Sequence, residues 1–135
     1  MKRSTSSLLR SLGQGALGAV LLTAGTGHLT KQRQEFQAQV PSWFPADPDR
    51  VVVASGFAEL ALGAALLTTW RQPARRRLGT FVACFFVGVF PGNIAQFTER
   101  RDGFGLDTDA KRALRLLGQP ALVAWALAAT RPPRD

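Results

Sequence analysis

The sequence is poor in the residues that carry most metal and redox chemistry. Its 135 residues include one cysteine, Cys84, one histidine, His28, and no tyrosine. A single thiol excludes an internal disulfide, a Cys-x-x-Cys redox pair and a multi-cysteine metal site. We therefore predict no metal site, no catalytic residue, no independent catalytic activity and no intrinsic cofactor. Cys84 lies inside an apolar block and is expected to be a small buried side chain.

The chain also lacks a localised basic surface. Its net charge of +8 comes from 17 Lys and Arg residues against 9 Asp and Glu residues. These basic residues are spread over all the polar connections. Aromatic residues do not alternate with them, as they do in proteins that bind single-stranded nucleic acid. Nucleic acid is therefore not expected as a partner.

A mean hydropathy of only +0.02 hides a separation of the apolar residues into four blocks. The blocks predict one membrane domain over residues 1–135, with transmembrane helices at about 8–29, 51–70, 78–97 and 111–130. The second and third blocks are apolar nearly all round, whereas a helix of a soluble bundle keeps a polar face. The predicted fold is therefore an all-α, multi-pass integral membrane four-helix bundle.

The charges of the connections favour an N-in/C-in orientation. The side with both termini carries nine Lys and Arg residues, Lys2, Arg3 and Arg134 among them, against eight on the other side. The short turn Arg71–Arg77 is densely basic and contains no acid, as expected for a cytoplasmic turn. On the outer side, Val40–Pro45 forms a proline-rich surface segment between helices one and two, with aromatic residues that suit the headgroup layer.

One carboxylate, Glu59, stands in the middle of the second apolar block. Ser55, Gly56 and Gly63 share its helix face. A charged acid at the centre of a membrane helix costs about 3 kcal/mol, so Glu59 is expected to carry a proton or to be paired. Candidate partners are Arg115, His28 and a polar ligand. The alternative is a buried hydrogen bond that fixes helix register.

The other three helices place polar residues at similar depth, in the outer half or near the midplane, while the inner half is predicted to hold almost none. Simpler roles stay open for them: an interface residue for His28, and hydrogen bonds between helices for the amides. The predicted ligand-binding set is Glu59, Asn93, Gln119, His28, Gln96 and Trp43.

Five segments taken in order resemble the DoxX and DoxX-like family of small four-helix bacterial membrane proteins. They are Gly25-Thr26-Gly27-His28, Val40–Pro45, Gly56–Gly63, Val89–Asn93 and Arg115–Gln119. The resemblance spans about residues 12–129 and implies a location in the bacterial plasma membrane. The family is named for a membrane subunit linked to thiosulfate:quinone oxidoreduction, and related proteins resemble partners of thiol-stress and superoxide-handling enzymes. This chain has no cysteine pair, so the resemblance does not extend to intrinsic thiol chemistry.

Two functions follow as expectations. The first is an accessory subunit of a membrane redox system, with a quinone or lipid as the bound amphipathic ligand. Its expected partners are membrane lipids, a membrane or soluble oxidoreductase, and a second copy of the chain. The alternative is a non-catalytic scaffold or assembly factor, in which the polar residues only order the bundle.

Overall fold

The computed structural model describes residues 4–103 and 105–133, and these residues contain helices and no strand. The helices are α1 (Thr5–Leu29), α2 (Arg33–Phe36), α3 (Pro48–Thr68), α4 (Ala74–Thr98) and α5 (Asp109–Thr130), with a 3-10 turn at Gln37–Gln39. The predicted all-α class is therefore confirmed. Lys2, Arg3 and Arg134, which contribute to the charge argument for orientation, lie outside the described residues.

Side chains cap three of the long helices at their N-termini. Ser4 accepts from the Ser7 amide at 3.2 Å, and Thr108 accepts from the Lys111 amide at 3.2 Å. Asp47 caps α3, and Pro48 occupies its first turn. Each such cap stabilises a helix by about 1 kcal/mol. The long helices begin two to four residues before the apolar blocks, because a cap marks where a helix starts and an apolar run marks only its buried part.

Three of the helices are long and apolar enough to cross a membrane. Mean hydropathy over the best window is 1.9 in α3, 1.7 in α4 and 1.2 in α5. Helix α1 is 25 residues long, but it is not among the helices that are apolar enough to cross, and Arg10 and Gln14 interrupt its first turns. A multi-pass membrane protein is therefore consistent with the helices, and the fourth span stays a prediction.

The long helices pack as two pairs, α1 with α3 and α4 with α5. Helices α1 and α5 join the pairs, whereas α3 and α4 make few contacts. Glycines bring the backbones of α1 and α3 together: a Cβ atom on Gly25 would lie 2.8 Å from the Gly56 oxygen, and one on Gly63 would lie 2.8 Å from the Gly18 oxygen. The two small residues predicted to flank Glu59 on its face, Gly56 and Gly63, therefore hold that face against α1.

The apolar core lies in one half of the molecule. We call this the terminal half, because it is nearer the start of α1, the end of α5 and the turn between α3 and α4. The opposite half, nearer residues 30–47 and 99–108, is called the loop half. The buried core cluster consists of Leu17, Leu21, Leu62, Leu66, Val82, Ala83, Phe86 and Ala126.

One sequence-based expectation about burial is wrong, and another has an exception. The terminal half does contain a buried polar side chain: Gln14 is fully buried, and its Nε2 donates to the carbonyls of Leu66 and Thr69 at 2.8 Å each. These are carbonyls at the end of α3 that no helix amide can reach, so Gln14 caps that end from α1. Cys84 is exposed, because the face of α4 that it occupies points away from the core.

Candidate functional site

A cavity of about 610 Å³ lies in the loop half between the two helix pairs. All four long helices and the segment before α3 line it. Five of the six predicted site residues are in its wall, namely His28, Trp43, Glu59, Asn93 and Gln119. Much of the remaining wall is apolar, including Val20, Leu21, Val52, Phe86, Val89 and Leu122. Polar groups from four elements therefore converge on one largely apolar space.

The α1–α3 side of the cavity holds a histidine–carboxylate contact. The Nδ1 atom of His28 lies 3.2 Å from Oε2 of Glu59 and 2.8 Å from the Ala24 carbonyl oxygen. The histidine ring stacks on Phe36, with 3.4 Å between the ring centroids. Despite its closeness to His28, the buried Oε2 atom accepts no hydrogen bond. The predicted pairing of Glu59 with His28 is therefore a short contact of poor hydrogen-bond geometry.

The α4–α5 side holds a chain of hydrogen bonds centred on Gln119. Its Nε2 donates to the Phe86 carbonyl at 2.6 Å. Its Oε1 accepts from Asn93 Nδ2 at 3.4 Å and from Arg115 Nη1 at 3.2 Å. Asn93 is 3% exposed, and its Oδ1 is buried without a hydrogen-bond partner. Each side of the cavity therefore presents one unpartnered oxygen, Glu59 Oε2 and Asn93 Oδ1.

Arg115, a candidate partner for Glu59 in the sequence, is not among the predicted site residues. It lines the cavity, but it binds Gln119, and no carboxylate in the described part of the chain pairs with it. The signal that could have found it is its position four residues before Gln119, which places the two on one helix face. Ser55 also lines the cavity, one turn before Glu59.

Gln96 does not line the cavity, in contrast to the prediction. Its Oε1 accepts from Gln39 Nε2 at 3.2 Å, and its Nε2 donates to the carbonyls of Arg101 and Gly103 at 3.3 and 3.4 Å. This buried amide connects the two polar segments of the loop half. Gln96 therefore has the structural role that the sequence left open for it.

The segment Val40–Phe44 covers the cavity at its loop end. Arg101 Nη1 donates to the Val40 carbonyl at 2.6 Å, and the Ser42 amide donates to Glu99 Oε2 at 3.3 Å. The hydrogen bond with Ser42 holds the pKa of the Glu99 carboxyl below its usual value, with Arg101 adding to the effect. Trp43 is 69% exposed and Phe44 is 42% exposed, so much of the aromatic surface of this segment faces away from the protein.

The cavity walls suit an amphipathic molecule better than a metal ion. No group of three or more His, Cys, Asp or Glu side chains within 4–103 and 105–133 could hold a metal. The polar groups instead form two small clusters on largely apolar walls, and a few polar groups in an apolar pocket of 300–1,000 Å³ are typical of small-molecule sites.

Comparison with known proteins identifies a family and no function. A family model described as a domain of unknown function (DUF8561) matches residues 17–130. No curated protein matches the chain, and no solved structure matches it. The match covers α1 from Leu17 onward, the cavity residues and α5 to its last residue. The chain therefore belongs to the DUF8561 family, whose matched region contains the whole of the cavity.

Proposed function

We propose that this chain is a DoxX-like integral membrane protein of the bacterial plasma membrane that binds a quinone-like or other amphipathic ligand. It acts as an accessory subunit of a membrane redox system. Its four long helices span the bilayer N-in/C-in, which places the loop half outside. The observation that carries the proposal is the cavity itself, in which the oxygens of Glu59 and Asn93 stand unpartnered among apolar side chains.

The arrangement of the helices supports a ligand with a polar head and an apolar tail. The head lies between the Glu59 side and the Asn93 side of the cavity. The tail leaves between α3 and α4, which make few contacts. Gly88 lies on that path, and a Cβ atom added to it would meet nothing within 4 Å. The outward faces of the same helices carry exposed Phe57, Phe81 and Val87, which suit contact with lipid tails.

The accessory role follows from what the side chains can do. A chain with one thiol and one histidine has few groups that could carry electrons. The proposal therefore assigns electron transfer to the ligand and to an oxidoreductase partner, membrane-bound or soluble. The protein contributes binding, orientation and exclusion of water.

The proposal is tested by purifying the protein in a mild detergent and analysing it by native mass spectrometry and solvent extraction. We expect a stoichiometric lipid or quinone in the wild type and its loss in Gly88→Phe, which fills the cavity. Gly15→Phe is the matched control, because Gly15 has only one distant neighbour and lies in the terminal half. A wild-type preparation free of any amphiphile would contradict the proposal.

The alternative function is a non-catalytic scaffold or assembly factor. Apolar side chains are exposed near the loop end, such as Leu114 at 67% and Leu117 at 70%. They suit contact with a partner protein as well as they suit contact with lipid. The glycine faces offer less to a partner, because Gly18 packs on Gly63 and Gly92 packs on the Gln39 carbonyl. Crosslinking in native membranes decides: a scaffold keeps its partner in Glu59→Leu and Asn93→Leu, whereas a ligand-dependent subunit captures less of its partner in both variants.

A further inference from the structure

We infer that the head group of the ligand donates two hydrogen bonds, one to Glu59 Oε2 on α3 and one to Asn93 Oδ1 on α4. This inference rests on the proposed function, since it specifies the ligand of the same cavity. The chemistry required is a pair of hydroxyl donors beside an apolar tail. An aromatic diol has this chemistry, and so does the glycerol head of a lipid with one acyl chain.

The orientation of Asn93 follows from a chain of donors and acceptors that begins at a backbone carbonyl. The Phe86 carbonyl can only accept, so the atom of Gln119 that lies 2.6 Å from it is the amide nitrogen. The other atom of the Gln119 amide is then its oxygen, which can only accept from Asn93. The nitrogen of Asn93 therefore faces Gln119, and its Oδ1 is the atom left without a partner. The Arg115 donor on the same Gln119 oxygen supports this assignment.

The tautomer of His28 follows in the same way. The Ala24 carbonyl can only accept, so the Nδ1 atom at 2.8 Å carries the hydrogen and directs it there. Glu59 Oε2 lies 3.2 Å from that nitrogen but receives no hydrogen from it. Glu59 is 8% exposed, so bulk water has little access to the carboxyl group. Whether the carboxyl group is ionised or carries its proton on Oε1, Oε2 is an acceptor that a ligand donor can satisfy.

The two acceptors belong to different helix pairs, so one head group that binds both also joins the pairs. A molecule that offers only carbonyl oxygens would bring acceptors against acceptors and leave these oxygens unpaired. Sites built to pair with a hydroxyl group discriminate strongly against analogues that lack it. We therefore expect a preference of about tenfold or more for the donor-bearing form of an otherwise matched ligand.

The test measures binding to the full chain in lipid nanodiscs by anaerobic titration calorimetry. Two matched pairs of probes separate the two sources of the hydroxyl groups: decylhydroquinone with decylquinone, and a monoacylglycerol with the corresponding fatty-acid methyl ester. In at least one pair the hydroxyl form is expected to bind with a Kd about tenfold lower. Equal or tighter binding of the form without hydroxyl groups overturns this inference and leaves the proposed function standing. Binding of none of the four probes overturns both.

Variants identify the two acceptors. Glu59→Leu and Asn93→Leu are each expected to reduce the preference for hydroxyl groups from about tenfold to about threefold, because each removes one of two acceptors. Glu59→Gln keeps an oxygen at the same place and is expected to retain most of the preference. Gln14→Leu removes a buried amide outside the cavity and should leave the preference unchanged. A preference that is undiminished in both leucine variants contradicts the assignment, and the wild-type comparison decides alone if either variant fails to fold.

Discussion

The two halves of the molecule use buried polar side chains in different ways. In the terminal half, buried and half-buried polar side chains bind backbone carbonyls of a neighbouring helix: Gln14 at the end of α3, Trp125 on Gly13, and Arg76 on Leu127. In the loop half they surround a cavity and leave Glu59 Oε2 and Asn93 Oδ1 unpartnered. Gln14 Oε1 is also unpartnered, but Gln14 is not among the cavity residues. The two halves therefore differ in packing: the buried polar atoms of the loop half face an unfilled, largely apolar space, whereas Gln14 lies outside it.

The largest effect is expected in the terminal half, where packing is continuous. Leu66 is fully buried in the core cluster, and Leu66→Ala should lower the free energy of unfolding by roughly 2–5 kcal/mol. Thermal or detergent-induced unfolding measures the loss. Ligand affinity, measured on the fraction that remains folded, should not change. A parallel loss of affinity would show that the two halves are coupled.

Glu59→Ala should have the opposite effects: lower ligand affinity and nearly unchanged stability. Removing the carboxyl group takes away one of the two polar contacts proposed for the ligand, so affinity is expected to fall about threefold. The free energy of unfolding of the ligand-free protein should change little or rise, because a buried acid without a hydrogen bond does not stabilise the fold. Extraction of bound amphiphile and thermal unfolding are measured on the same preparation. Unfolding of Glu59→Ala in the absence of ligand would instead indicate a register-fixing role.

Gln96→Leu tests whether the polar connections next to the cavity affect ligand affinity. The change removes three hydrogen bonds that connect Gln39, Arg101 and Gly103. A net loss of about 1 kcal/mol in stability is expected, together with faster proteolysis of residues 37–45. Affinity should fall less than in Glu59→Ala. An affinity loss larger than that of Glu59→Ala would show that the cover, and not the walls, dominates binding.

The smallest effect concerns pH. The pKa of Glu99 is lowered in the folded protein, chiefly by its hydrogen bond with Ser42. The contribution of Glu99 to stability is therefore fully present above the unfolded pKa, about 4.3, and is lost as the pH falls through the lower folded value. Hydrogen exchange of the Ser42 amide should accelerate over that acidic range relative to neighbouring amides. Glu99→Gln should remove this pH dependence, and an unchanged profile would contradict it.

Much of the fold could be predicted from local patterns. Apolar runs located the long helices to within a few residues, because these runs depend on near neighbours in the chain. The burial of Cys84 was predicted wrongly, because an apolar block does not show which of its faces points outward. The fourth span stays unconfirmed for a related reason: α1 uses glycines for close packing, and glycines add little hydropathy.

The candidate site could be predicted as a set of residues but not as a geometry. The estimated depth of each residue in the membrane was enough to group His28, Glu59, Asn93 and Gln119. The same estimate wrongly included Gln96, whose side chain binds the polar connections. Arg115 was missed as a lining residue because a basic residue near a helix end has an ordinary explanation at the interface. Gln14 was missed because its partners, the carbonyls of Leu66 and Thr69, are more than fifty residues away in the chain.

The sequence by itself determined that the chain is helical, that it is apolar enough for a membrane in three of its helices, and that a lone acid lies inside one of them. Composition and short-range spacing carry that information. Only the tertiary structure decided which polar groups meet and which of their atoms remain free. Whether Glu59 and Asn93 act as acceptors depends on the carbonyls of Ala24 and Phe86, and the Phe86 carbonyl acts through Gln119 on a neighbouring helix. Such contacts exist only after the helices have packed.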